Sequence, residues 1–360
     1  MEQKILLVDL VGDVSGHYFI MQTLSKIKNT IEIDTQEKKY HIKENPILGY
    51  IERWKMYKRV QKCLKQYEDK EIVMHLITGD KFYILPLFKS LERKNRKVLV
   101  TIHRFPTRKL QQLLLKNFSK RVSSFIVFSD YLKTEFENIG IHNVMVVPYP
   151  TFYNYSLVPC KDTLKKLYGV QDKIVISALG GTRYEKGLDL LISSFQYLSD
   201  SIKQRIILNI AGREEDFKRD YIEQLLKKYN VKALLTLKSL SDVEFCENVK
   251  MTDIMAIPYR KSFNSGASGP MTEAMSQGIP SLFPKCGSLE CYEQKYRVGC
   301  TFECENLRSL AETILYMIEN DIQIDYSVSS IFTNEGFIKN HEHIYQEQFK
   351  SISAYESIII

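Results

Sequence analysis

Residues 253–280, DIMAIPYRKSFNSGASGPMTEAMSQGIP, constrain this chain more than any other stretch. An apolar run, Ile254–Ile257, stops at Pro258. A loop rich in Ser and Gly follows, from Ser262 to Gly269. Pro270 then opens a run of good helix formers carrying Glu273, Ala274 and Met275, and Gly278 and Pro280 end it. Strand, Gly-rich loop and helix start belong to an α/β layer fold. That junction turns backbone N–H groups and a positive helix end toward one point, where a phosphate fits. Glu273 falls in the first turn of the helix.

The same alternation runs along the chain. In the first half, short β-rich runs at 5–10, 71–77, 97–102, 124–128 and 144–147 alternate with helical spacing at 17–27, 50–67, 107–121 and 130–138. Residues 151–162 lack a period and read as a linker. Strands at 173–179, 205–211, 234–237, 254–257 and 281–283 then alternate with helices at 188–198, 220–229, 242–250 and 307–320, and a last helix covers 337–350. Alternating strands and helices predict mostly parallel sheets, and 360 residues allow two doubly wound domains. The expected bounds are 1–155 and 160–335. On the helix at 50–67, Trp54, Tyr57, Val60 and Leu64 are expected on one apolar side.

No apolar run reaches the roughly 18 residues of a membrane span. The start MEQKILLVDLVGD reads as a buried strand rather than a leader. Seven cysteines without a CxxC pair predict packed, reduced thiols, no metal and a cytoplasmic protein. The net charge is +7, and it is uneven: residues 89–121 hold eleven Lys or Arg against one acid, Glu92. Such an excess suits an acidic partner. A basic amphipathic helix at 107–121, with Leu110, Leu113, Leu114 and Phe118, suits an anionic membrane surface or a place on the sheet. No recognition motif for nucleic acid is present, and none is expected as a partner.

Two loops of the second half carry the chemistry. Gly180-Gly181-Thr182-Arg183-Tyr184-Glu185-Lys186-Gly187 follows a strand. Its glycines let backbone approach a ligand, and Arg183 and Lys186 add a fork and a point charge suited to a diphosphate. The other loop is the opening one. In the first half, Gly12–Gly16 and His17 follow the first strand, in the G-x-x-x-G form rather than a dinucleotide fingerprint.

These loops together resemble those of retaining GT-B glycosyltransferases of the family 4 type. G-x-x-R-x-x-K-G at 180–187, Pro258-Tyr259-Arg260, Ser268-Gly269 and Glu273-Ala274-Met275 to Gly278 and Pro280 are similar to that family's pattern. Thr101-Ile102-His103 and Ser129–Lys133 resemble its first-domain motifs, and Ile344-Tyr345 its final helix. The resemblance implies two Rossmann-like domains facing a central cleft, with an acceptor domain, a donor domain and a C-terminal helix, about 337–360, packed back on the first. Arg183 and Lys186 would bind the diphosphate of a nucleotide sugar and stabilise it on departure. Gly180, Gly181, Ser268 and Gly269 would present backbone to the phosphates, and Glu273 would hold the ribose. His103 would line the site beside the sugar, and Gly12, Gly16 and His17 would serve the acceptor loop. Neither metal nor other cofactor is implied. The acceptor would be a glycan or lipid-linked molecule of a bacterial surface pathway, reached from the inner face of the membrane.

One position departs from the pattern. A glutamate commonly stands eight residues before Glu273, where this chain has Ser265; Arg260 and Asn264 are the nearest groups for the sugar contact it would make. Two other readings follow: a non-catalytic GT-B subunit that partners another glycosyltransferase, and a GT-B sugar-nucleotide epimerase.

Overall fold

The structure, a computed structural model, describes residues 2–9, 18–33, 46–83, 91–263 and 268–357. The chain divides into two compact units, 1–148 with 334–360, and 149–333. The division falls at Pro148/Tyr149, and 149–155 belong with the second unit.

The first unit contains β1 (Gln3–Val8), α1 (Tyr18–Leu24), β2 (Thr30–Ile33), α2 (Pro46–Leu64), β3 (Glu71–Leu76), β4 (Arg96–Thr101), α3 (Lys109–Ser119), β5 (Ser124–Val127), α4 (Asp130–Asn138) and β6 (Val144–Val146). Its six strands form one parallel sheet in the order β2-β1-β3-β4-β5-β6. Successive strand residues face opposite sides. Met74 and Leu76 of β3 join Tyr57, Val60 and Leu64 of α2 and Leu115 and Phe118 of α3 in one core. Trp54 does not share this stripe: it is 37% exposed, with the Lys58 ammonium 5.1 Å from its ring. Leu110 and Leu113 of α3 also stay outside, at 69% and 64% exposure, because Leu115 and Phe118 supply the helix's inner face.

The second unit contains α5 (Lys161–Leu167), β7 (Ile174–Leu179), α6 (Leu188–Ser194), α7 (Asp200–Arg205), β8 (Ile206–Ala211), α8 (Arg219–Lys228), β9 (Ala233–Thr236), α9 (Asp242–Lys250), β10 (Ile254–Ala256), α10 (Gly269–Ser276), β11 (Ser281–Pro284), α11 (Gly287–Tyr296), β12 (Gly299–Phe302), α12 (Leu307–Asn320) and α13 (Tyr326–Ile331). Its parallel sheet runs β12-β11-β10-β7-β8-β9. Both faces are covered, as parallel sheets require. Met255, Ile257 and Phe283 pack with Met271, Ala274 and Leu289 on one side. Ile254, Ala256 and Leu282 pack with Leu191, Ile192 and Ile314 on the other.

The last helix, α14 (Asn334–Ser357), belongs to the first unit. His75 is the β3 residue between Met74 and Leu76, so it faces α14 rather than α2. Its Nδ1 lies 2.7 Å from the Tyr345 hydroxyl and its Nε2 lies 2.7 Å from Thr101 Oγ1. His341 stacks on the same ring. Among the described residues, no helix is long and apolar enough to cross a membrane.

Candidate functional site

In the second unit the chain runs outward from β7 through β8 to β9, then returns to β10 on the other side of β7. That reversal is a topological switch point, where an open parallel sheet leaves a crevice at its carboxyl end. The loops after β7 and β10 flank it, and these are the two loops singled out in the sequence.

They touch through glycine. Gly187 has φ of +64°, and a β-carbon there would fall on the Pro258 carbonyl oxygen. Gly180 has φ of +102°, and a β-carbon would meet the Lys186 ammonium, which folds back over it. The same ammonium lies 5.9 Å from the Tyr259 ring. Thus Gly180, Lys186 and Tyr259 are together, and with Gly181, Thr182 and Pro258 they line a small cavity of about 20 Å³.

The helix end is beside them. Ser268 caps α10, accepting the Met271 N–H at 3.4 Å, and its Oγ is 3.2 Å from the Tyr259 hydroxyl. Pro270 occupies the first turn, where its missing N–H costs nothing. Among the described residues, nothing lies within 4 Å of where a β-carbon on Gly269 would stand. Residues 264–267, with Asn264 and Ser265, lie outside the described residues.

Arg183 faces a different neighbour. Its Nη1 is 2.9 Å from Glu185 Oε1 and its Nε is 3.7 Å from Glu215 Oε2. Glu215 lies over Gly181, and Arg213 bonds it at 2.8 Å. Thr182 fixes this third loop to the first: its Oγ1 accepts the Glu215 N–H at 2.8 Å and donates to the Phe217 carbonyl at 2.7 Å. Sequence reasoning missed Glu215. The signal was a third strand followed by glycine, β8 and Gly212, on the same sheet edge.

Arg260 is not free for a sugar. Its guanidinium bonds Asp189 through both ends, at 3.0 and 2.7 Å, and the Tyr184 carbonyl at 2.6 Å.

Glu273 is 2% exposed. Its Oε1 accepts the Phe152 N–H at 2.9 Å, and its Oε2 accepts from the hydroxyls of Thr151 and Tyr155. Burial pushes its carboxyl up to about 7, against the pull of those three donors. Thr151 and Tyr155 carried no sequence signal, since they lie in the stretch read as a linker.

His103 follows β4 in the first unit. Its Nε2 donates to the Ile77 carbonyl at 2.9 Å, which puts the proton of the neutral ring on Nε2 and leaves Nδ1 as the acceptor nitrogen. Burial holds it down at about 4. Asp80 secures the turn, accepting the N–H groups of His103 and Arg104 at 3.0 Å each. Gly12, Gly16 and His17 lie outside the described residues.

A cavity of about 450 Å³ opens at the opposite, amino-terminal edge of the second sheet, away from both loops. Its one acid at the strand ends, Asp253, is paired with Lys161 and Lys165 at 2.5 Å each. None of the seven cysteines, all among the described residues, forms a disulfide, and the sulfurs of Cys286 and Cys304 lie 3.8 Å apart. Among the described residues, no cluster of three or more His, Cys, Asp or Glu is placed to hold a metal ion.

Residues 161–329 match the family model described as Glycosyl transferases group 1. That span contains both loops and α10. A comparison with curated proteins finds no match. Solved structures share the fold over almost the whole chain. The Anabaena protein Alr3699/HepE, in complex with UDP, has 14% identity and a TM-score of 0.69, over 96% of this chain and 100% of that one. Sucrose-phosphate synthase from Thermosynechococcus elongatus has 13% identity and 0.68, over 98% and 100%. A glycosyltransferase from Rickettsia africae has 14% and 0.66, over 97% and 99%. The fold is GT-B, two Rossmann-like α/β units, and the family match supports a glycosyltransferase.

Proposed function

We propose that the chain is a retaining, family 4 type glycosyltransferase. It moves a sugar from a nucleoside diphosphate to a hydroxyl of a glycan or lipid-linked acceptor, in bacterial surface glycoconjugate synthesis. The observation that carries this reading is the meeting of the Lys186 ammonium, the glycine backbone of 180–181 and the amino end of α10 at the switch point of the second unit. A diphosphate is the ligand that such a set of donors favours. The Anabaena neighbour's complex with UDP supports a uridine nucleotide as the first donor to test.

In the reaction the bond between the anomeric carbon and the β-phosphate oxygen breaks, the acceptor oxygen bonds that carbon on the same face, and the acceptor hydroxyl's proton passes to the departing diphosphate. Negative charge grows on the departing diphosphate. Lys186, Arg183 and the α10 end offset it, and no metal is required for that charge. Arg183 would exchange Glu185 and Glu215 for phosphate oxygens. Glu273 would take ribose hydroxyls in place of those of Thr151 and Tyr155. His103, neutral and with an acceptor Nδ1, would take a hydroxyl of the sugar. The exposed Leu110 and Leu113 on the basic helix α3 support attachment to an anionic membrane, where a lipid-linked acceptor resides.

The test is a thermal-shift screen of UDP, GDP, ADP and their sugars, followed by turnover of the best donor. Binding at 100 times Kd raises stability by about 2.7 kcal/mol, which a melt resolves. Lys186→Ala should weaken the nucleotide about tenfold or more, as expected for a charged hydrogen bond. No shift with any nucleotide, or full turnover by Lys186→Ala, would sink the proposal. Nucleotide binding with neither transfer nor donor hydrolysis would favour a non-catalytic subunit.

A further inference from the structure

We infer that Arg260 is a positioning residue: it clamps the 180–187 loop to the end of β10 and so sets where Lys186 and Arg183 stand. The inference rests on the donor site proposed above, but its central claim concerns the loop itself.

Arg260 lies two residues past Pro258, at the point where the two loops meet. It is 7% exposed; its backbone N–H, Nη1 and Nη2 hold the other loop and the helix after it, while its Nε lies 3.9 Å from Glu305 Oε1. Its backbone N–H donates to the Glu185 carbonyl at 2.9 Å. Its Nη1 donates to the Tyr184 carbonyl at 2.6 Å, and Nη1 and Nη2 together grip the Asp189 carboxylate. The guanidinium carbon, Cζ, lies 3.8 Å from the centre of the Tyr184 ring. Four contacts therefore reach Tyr184, Glu185 and Asp189, the residues on either side of Lys186 and Gly187. Asp189 sits in the first turn of α6, which begins directly after the loop. The clamp thus fixes both the loop and the helix into which it runs.

The chemistry calls for arginine. Only a planar fork bonds both carboxylate oxygens while presenting a face to a ring, and a lysine ammonium cannot do both. The Thr182 and Tyr184 N–H groups tie the first part of the loop to residues 213–217, at 3.0 Å to the Arg213 carbonyl and 2.8 Å to Asp216 Oδ2. Past Tyr184 the loop bonds itself through Lys186 N–H to Arg183 and Gly187 N–H to Tyr184, both within one short turn, and Arg260 adds the tie to β10. Arg183 and Lys186 flank that turn, so its freedom becomes theirs.

The test uses the full chain with Arg260→Lys and, separately, Asp189→Asn, which keeps the size of the partner and removes its charge. Hydrogen exchange is followed without ligand. The amides of 183–188 should exchange about tenfold faster in both variants, as for loss of a charged hydrogen bond, while those of α9 stay unchanged. UDP is then titrated into the wild type, Arg260→Lys, Lys186→Ala and the double variant. Arg260→Lys should weaken UDP about tenfold in the wild type and under threefold in the Lys186→Ala background, because residues acting through one another are not additive. Unchanged exchange in the loop overturns the clamp. Equal weakening in both backgrounds overturns its action through Lys186. A wild-type chain that ignores UDP, GDP and ADP counts against the donor reading alone, and the exchange measurement still decides the clamp.

Discussion

Tyr155 donates its hydroxyl to Glu273 Oε2 at 2.9 Å, across 118 residues of sequence. With Thr151 and the Phe152 N–H it ties the chain just past the unit boundary to the second turn of α10; because the helix opens at Gly269, Glu273 is its fifth residue and not the first-turn residue that the sequence predicts. The same contacts raise Tyr155 above the usual phenol range, chiefly by burial and then by the carboxylate beside it.

Glu273 should make stability pH-dependent. Its folded value, about 7, stands above the ordinary 4.5 because of burial. The folded state therefore holds the proton more tightly. The contribution is fully present below pH 4.5 and is lost as pH rises through 7, a swing of about 3 kcal/mol. Glu273→Gln removes that titration while keeping an amide in place. Melts of the two proteins from pH 4.5 to 8 should show the variant gaining on the wild type as pH rises. A constant gap would refute the assignment.

The first unit should respond in the opposite sense. His341 is held at about 4 by burial, and His75, buried beside it with His341 and His103 as like-charged neighbours, falls well below its ordinary value. A base with a lowered folded value contributes stability above about pH 6.5 and loses it as pH falls toward 4. His341→Phe keeps the stacked ring and removes one proton site. The protein has a single tryptophan, Trp54, in this unit, so denaturant unfolding followed by its fluorescence reports the unit directly. Between pH 7 and 4.5 the wild type should lose about 2–3 kcal/mol more than the variant. Equal losses would show that His341 does not titrate on unfolding.

Much of this architecture was legible because local signals agreed with it. Helices Asp130–Asn138, Asp242–Lys250 and Leu307–Asn320 appear at their expected bounds, each opened by a side-chain cap, from Ser129, Ser241 and Asn306. Where the local signal was thin, elements went unseen: β2 has four residues at a sheet edge, and GCTF of β12 has neither length nor alternation. Trp54 was placed by helical period alone, and period does not say where the apolar face ends. The loops after β7 and β10 were readable from their glycines, and in the first of them Gly180 and Gly187 sit at positive φ against close neighbours. Side-chain partners were not. Arg260 with Asp189 spans 71 residues and Glu273 with Thr151 spans 122, and only the folded sheet brings them together.

Gly187 should tolerate no side chain. Its left-handed backbone disfavours an L-residue by about 1–2 kcal/mol, and the β-carbon would displace Pro258 as well. Gly187→Ala should lower Tm by several degrees and weaken UDP further than the loss of stability explains, because the loops after β7 and β10 can no longer touch. Wild-type melting and wild-type UDP affinity together would show that the contact does not shape the site.

The membrane reading turns on two leucines. Leu115 and Phe118 fill the inner face of α3, so Leu110 and Leu113 stay largely exposed and cost little to replace. Lys109 and Lys116 stand on the same helix, exposed. In lipid each leucine would gain about 1.5–3 kcal/mol, and each nearby cation about 1 kcal/mol on an anionic surface. Leu110→Ser with Leu113→Ser should therefore lower binding to phosphatidylserine-containing vesicles at least tenfold while the melting temperature holds. Raising salt should weaken the wild type and leave little to lose in the variant. Vesicle binding that is the same in both proteins would place the contact elsewhere, and none at low salt would remove it.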